Sequence, residues 1–512
     1  MKQESASDQP EVRVNRRHFL GSSAAVFTLA SLPHTLTQTP EEIDTPEKIR
    51  PFQNEVGWAY TAVPGSSRES MVVDMSRMKE LGASIVYIGH ANPGEVKPQG
   101  SEPGLCPAVY FAMRDNSAQR EGALSIYQAI TNSLEASKTA GLKVVLPIGY
   151  QIQMGQDWNS KNPASLRLDS GGSRLNFWGS GDTASPYSPV YQRDIQEYYQ
   201  WINNNFVTQY PHIVAINLGD EPMGSDFSPW AKEEFAKRYD GVNFDSAPQQ
   251  LRGQFLSEVI ADHAGIAANM WKAINPAVWT MMTFHVQRES PWLPNLEALF
   301  SKTPDNFVFS SDTHLHDNLP NLPLTDQDQI GLYGMVRTYS YLSKVYGKKM
   351  MLWSAANAWG LTEKGGIAEA NRNFDIVHDI GRQLGGEMAM MMMWGWNIKG
   401  QGVYGYNGER MFHPDDMVIQ MSRKMRAVKD DLSTKTNGQP QTVLYLPSGE
   451  LYRRIGQDNV SHLAPEYVDL MQYDLRGGNI IYLNDGPALQ QAQAYGANLI
   501  PVLYSNEGFF VN

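Results

Sequence analysis

Two carboxylates stand side by side in INLGDEPMG (216–224): Asp220 and Glu221, after an apolar run and just before a proline. Such a pair suits general acid–base chemistry. If the two groups approach each other, repulsion raises one pKa and keeps that group protonated near neutrality. The competing reading is a turn, because neighbouring side chains on an extended chain point to opposite faces. Asp220 would then cap the turn and Glu221 would meet solvent. A second cluster, DTHLH (312–316), places Asp312, His314 and His316 at alternate positions, on one face of a strand. Three such ligands would suit zinc or another divalent ion.

The elements that must position these groups follow from the alternation of short apolar runs with helical patterns. The runs are VGWAYTAVP (56–64), SIVYIGH (84–90), KVVLPIGY (143–150), IVAINLGDEP (213–222), VWTMMTFHV (278–286), FVFSSDTHLH (307–316), KMMLWSAANAWG (349–360) and MAMMMMWGWN (388–397). Nearly all of each run is apolar, as in strands buried on both faces. Helical stretches lie between them, as parallel pairing requires. Eight such units predict a (β/α)8 TIM barrel over 51–433. No glycine-rich phosphate loop follows the first run, which disfavours an open dinucleotide-binding sheet. The methionine-rich eighth run reads as core filling, not as a soft-metal site. After the linker TKTNGQPQ (434–441), two apolar runs and a helix-then-strand pattern predict a small α/β domain over 442–512.

Active residues of such barrels lie at the C-terminal ends of the strands. Those positions hold His90; Tyr150; Asn217, Asp220 and Glu221; His285, with Glu289 just beyond; Asp312, His314 and His316; Trp353, Asn357 and Trp359; and Trp394, Trp396 and Asn397. Carboxylates, imidazoles, amides and tryptophans together suit a carbohydrate. Glycoside cleavage needs one carboxyl group as proton donor and another as nucleophile, base or stabiliser. Aromatic faces stack on sugar C–H surfaces.

NLGDEP resembles the Asn-Glu-Pro acid/base segment of clan A barrel glycoside hydrolases, and MWGWN resembles their sugar platform. The resemblance implies Glu221 as general acid/base. A barrel followed by a small α/β domain is similar to the layout of family 42 β-galactosidases, whose second domain resembles a glutamine amidotransferase (flavodoxin-like) fold. One departure stands out: those enzymes carry a nucleophilic glutamate after strand seven, and WSAANAWG has no acid. The second carboxylate would come from Asp312, from Asp220 (as in substrate-assisted hexosaminidases with an Asp-Glu pair on strand four) or from Glu289, with the first two preferred.

The remaining features bound the context. With 512 residues and 42% hydrophobic content, the chain fits one large domain and a smaller one. A net charge of −12 without a long basic block argues against nucleic acid as partner. A single cysteine, Cys106, excludes an internal disulfide. NRRHFLGSSAAVFTLASLP (15–33) resembles a twin-arginine export signal over 1–33, with Arg16 and Arg17 as the pair, and 34–50 reads as a linker. Its apolar stretch is too short and too rich in small residues for a membrane span. The expectation is therefore an exported glycosidase, periplasmic or extracellular, without cofactor or resident metal, with a carbohydrate substrate and with self-association left open. The alternatives are a non-catalytic glycan-binding protein on the same fold and a metal-dependent hydrolase using Asp312, His314 and His316.

Overall fold

The computed structural model describes residues 49–90, 105–149, 152–176, 182–220, 224–285, 295–313, 337–354, 387–393, 441–446, 480–505 and 508–511, with Pro222, Trp396, Arg423 and Ala427. Residues 1–48, on which the expected export signal and most of the expected linker fall, lie outside them.

Eight parallel strands close into a barrel in sequential order. They are β1 (Glu55–Thr61), β2 (Ile85–His90), β3 (Lys143–Pro147), β4 (Ile213–Asp220), β5 (Trp279–His285), β6 (Phe307–Thr313), β7 (Lys349–Ser354) and β8 (Glu387–Met393). Closure is made by β1 on β8, with Glu55 to Trp58 in register with Met390 to Met393. Each strand falls within one of the apolar runs or extends it by a single residue. The runs overshoot mainly at their C-terminal ends, where the chain leaves the ladder to form the barrel mouth.

The intervening helices are bounded by local chemistry. In α1 (Arg68–Glu80) the Ser67 side chain accepts the Ser70 amide, satisfying a donor that the first turn leaves open. Two further helices, α2 (Pro107–Arg114) and α3 (Arg120–Ala140), follow β2. The sequence pattern leaves α2 as loop; it has no capping side chain, and Pro107 at its first turn is the signal that marks it. After β3 come α4 (Gln156–Lys161) and α5 (Pro189–Ile202), separated by an irregular antiparallel ribbon that includes the bridges Leu166 to Ala184 and Leu168 to Arg174, and that is tied by Thr183 to Gln153 ahead of α4. After β4 come α6 (Pro229–Arg238), capped by Ser228, and α7 (Gln249–Ile274); α8 (Leu296–Lys302) is capped by Asn295. A helix over 337–345 precedes β7.

Two apolar layers hold the barrel. One fills its interior with Ala59, Ile85, Tyr87, Val145, Ala215, Met281, Val308, Met351, Met390 and Met392. The other lies between strands and helices. The methionines of β8 are core: Met388, Met390, Met391 and Met392 are all buried. Among the described residues no helix is long and apolar enough to cross a membrane.

Beyond the barrel, β9 (Thr442–Leu446), β10 (Ile480–Asn484), β11 (Asn498–Ser505) and β12 (Gly508–Val511) form a small sheet in the order β10-β9-β11-β12. The first three are parallel and β12 pairs antiparallel with β11. One described helix, Pro487–Ala494, connects β10 to β11.

Candidate active site

The strand ends at the barrel mouth are built from two kinds of row. On β4, Ala215 and Asn217 belong to the interior, whereas Ile216 and Leu218 pack outward. On β5 and β6 the interior rows run Met281, Thr283 and Val308, Ser310. Thus the apolar filling of the barrel gives way to polar side chains one strand step below the mouth.

These polar side chains form a buried chain of hydrogen bonds. Asn217 donates from Nδ2 to the Tyr87 hydroxyl at 2.7 Å and to Thr283 Oγ1 at 3.0 Å. Thr283 donates to Ser310 Oγ at 3.1 Å. Asn217 Oδ1 accepts the Gly219 amide at 3.3 Å. Asn217 is 0% exposed, so it supports the site from beneath. Tyr87, Thr283 and Ser310 are absent from the sequence-based site; the signal for them is a hydroxyl on the interior row of an otherwise apolar strand.

Above Asn217 the β4 ladder is irregular. Pairing to β5 shifts register between Asn217 and Asp220, and Asp220 then pairs with Thr283. A bulge of this kind re-aims the residues at a strand end. The half-buried Asp220 is the last residue of the strand. Close packing next to it requires glycine at 149: a Cβ there would lie 2.2 Å from the Leu218 carbonyl oxygen.

The other candidates fall as follows. His285, Asp312 and Trp353 are lateral neighbours, His285 in register with Asp312 and Asp312 with Trp353. Their backbone positions continue the rows that hold Met281, Val308 and Met351. His90 ends β2 and pairs with Thr61 across a register shift. Glu221, Tyr150, Glu289, His314, His316, Asn357, Trp359, Trp394 and Asn397 lie outside the described residues. Among the described residues no group of three or more His, Cys, Asp or Glu is arranged to hold a metal ion.

Trp396 takes a place other than a sugar platform. It is 1% exposed and meets Trp58 edge-on at 5.3 Å between ring centroids. Its backbone amide donates to the Ala59 carbonyl. Beside it, Asp74 has its pKa raised by burial, partly offset by hydrogen bonds from Tyr60 and Trp396. The indole is therefore enclosed in the layer between strands and helices and presents no face to a ligand.

No protein-family model matches the chain, and no curated protein matches it. Solved structures do. The β-galactosidase of the psychrophilic Marinomonas ef1 superposes with a TM-score of 0.60 at 11% identity, over 87% of this chain and 75% of that one. A catalytic mutant of a GH42 β-galactosidase from G. stearothermophilus gives 0.57 at 13% identity, over 85% and 67%. A GH5_18 protein from Bifidobacterium longum, solved in complex with Manβ1-4GlcNAc, gives 0.50 at 11% identity, over 89% and 97%. The chain spans 65–75% of the length of the β-galactosidases it matches. Likeness at such identity speaks of architecture alone: the chain has a closed eight-stranded parallel barrel similar to those of these GH42 and GH5 structures.

Proposed function

We propose that this protein is an exported glycoside hydrolase in which Glu221 protonates the glycosidic oxygen and a second carboxylate, Asp312 or Asp220, acts as nucleophile, base or charge stabiliser. The observation that carries the reading is the ending of β4. In a closed barrel similar to glycosidases, that strand ends on Asp220, immediately before Glu221, at the face where barrel enzymes keep their catalytic groups. The position of Asp312 between His285 and Trp353, on β6 two strands along from β4, supports a second acid at the same rim. The carbohydrate bound to the B. longum protein supports a glycan as ligand. The paired arginines at 16 and 17 support twin-arginine export to the periplasm or beyond.

A second reading, non-catalytic glycan binding, is favoured by one observation: WSAANAWG after β7 has no acid. Incubating the protein with a panel of aryl glycosides and oligosaccharides, with and without chelator, separates the readings. Turnover that chelator leaves unchanged is the expected result. Binding without turnover selects the second reading, and loss of turnover with chelator points to a metal-dependent hydrolase instead.

A further inference from the structure

We propose that Arg167, on the loop after β3, is a positioning residue for the β4 exit: it clamps the Gly224 carbonyl and thereby anchors the segment that leads away from Asp220. The inference rests on the glycosidase reading only for its effect on catalysis.

Arg167 is 0% exposed. Its Nε donates to Thr183 Oγ1 at 2.9 Å, on the opposite side of the antiparallel ribbon. Its Nη1 donates to the Gly224 carbonyl at 3.3 Å, on the loop after β4. Burying a guanidinium is costly. Burial lowers the Arg167 pKa to about 10, with the negative charge of buried Asp226 acting against that shift. A side chain needed only to fill space would be apolar. The planar fork of arginine can hold acceptors on two loops in fixed geometry, and here it joins the β3 loop to the β4 loop.

The joint is reinforced next to the clamp. Asp226 accepts the Ser185 hydroxyl at 2.5 Å and the Ser228 amide at 2.9 Å. The Phe227 amide donates to the Leu168 carbonyl at 2.9 Å. The β4 exit is thus held at both ends, by Asn217 Oδ1 on the Gly219 amide within the barrel and by Arg167 on Gly224 outside it. Few residues separate the two anchors, and Asp220 and Glu221 are among them. Limiting the conformations of that stretch before substrate arrives lowers the entropy cost of reaching a reactive geometry.

The test uses the full chain and the variants Arg167→Met, Arg167→Lys and Lys348→Met. Lys348 is another buried cation, donating to the Thr303 and Pro304 carbonyls away from the mouth, and serves as the control. Hydrogen exchange is followed below the melting temperature of every variant. Arg167→Met is expected to speed exchange in the peptide over 219–228 by about tenfold or more, while Lys348→Met leaves that peptide unchanged. On a glycoside that the wild type turns over, Arg167→Met is expected to lower kcat by about a hundredfold with KM within about threefold. Arg167→Lys, which keeps the charge but cannot span both acceptors, is expected to recover stability more than kcat. Exchange over 219–228 equal to wild type, or raised equally throughout the barrel, overturns the clamp. Unchanged kcat beside locally faster exchange overturns its role in positioning. If Glu221→Gln turns over substrate as fast as wild type, Glu221 is not the proton donor; if the wild type turns over no glycoside, the glycosidase reading fails, and the exchange result alone decides the clamp.

Discussion

Asn217 on β4 and Tyr87 on β2 meet across the barrel interior, amide nitrogen to hydroxyl, at 2.7 Å. The strand between them, β3, contributes nothing to this bond, so it ties together strands that are not neighbours in the sheet.

Because the Asn217 amide is buried and also bonds Thr283, its removal strands hydroxyls that water does not reach. Asn217→Leu is expected to lower unfolding free energy by about 1–3 kcal/mol. Tyr87→Phe is expected to be less costly, and the double variant less costly than the sum of the two. Urea denaturation of the four proteins checks this; strict additivity would mean that the bond is not a stabilising link.

His263 predicts an acid sensitivity of defined sign. Burial, with repulsion from Arg167, holds its pKa down at about 3. In the unfolded chain a histidine titrates near about 6.5. Between these values the unfolded chain binds the extra proton, so stability is lost as pH falls through that window, by up to about 1.4 kcal/mol per pH unit. Asp226, whose pKa is raised chiefly by burial, acts with the opposite sign, because its folded form holds the proton more readily. His263→Gln is expected to lose about 2 kcal/mol less than wild type between pH 7 and pH 5. Equal losses in urea midpoints would remove His263 as the cause.

Trp396 is expected to matter for folding and not for binding. Trp396→Ala removes a buried indole packed on Trp58 and should cost about 3–5 kcal/mol. The milder Trp396→Phe should retain the wild-type KM for any glycan turned over. A selective rise in KM without loss of stability would place this ring at the ligand after all.

Glu297, at the start of α8, fastens the C-terminal helix to the barrel. Its Oε1 accepts the Ala488 amide and the Tyr346 hydroxyl, each at 2.7 Å. Tyr341 adds a bond to the Ala488 carbonyl at 3.2 Å. A Cβ at Gly486 would sit 2.1 Å from Glu297 Oε2, so Gly486→Ala must push the carboxylate from both donors. Each of Gly486→Ala and Glu297→Ala should cost about 1–3 kcal/mol, and the pair together little more than one. Additive losses in calorimetry would show that the two residues act separately.

The extent to which this architecture can be read from residues follows from what each element answers to. The strands of the barrel are buried on both faces, so IVAINLGD and EMAMMMM announce themselves by continuous apolar character. Their lateral order follows from the repeated helix between them. The mouth is less legible because it depends on contacts between segments distant in sequence. Nothing local in SLRLDS foretells that Arg167 is buried against the β4 loop. Trp396 shows the reverse error: a tryptophan close after a barrel strand suggests a sugar platform, yet its neighbour is Trp58, which lies hundreds of positions earlier and claims the ring for the core. Asn217 reads correctly as a polar residue near the end of β4, but its position one strand step below the mouth becomes apparent only when the hydroxyls of Tyr87 and Thr283 are seen around it.

The most direct measurement is turnover of the glycan panel by Glu221→Gln beside the wild type, with binding followed on the same glycans. Glutamine keeps the shape of the side chain and removes the proton that the leaving oxygen needs. The expected result is wild-type turnover of at least one glycan, a fall in kcat of about 10²–10⁴-fold in the variant, and binding that is retained. Undiminished turnover by Glu221→Gln, or a wild type that binds glycans and cleaves none, would contradict the assignment.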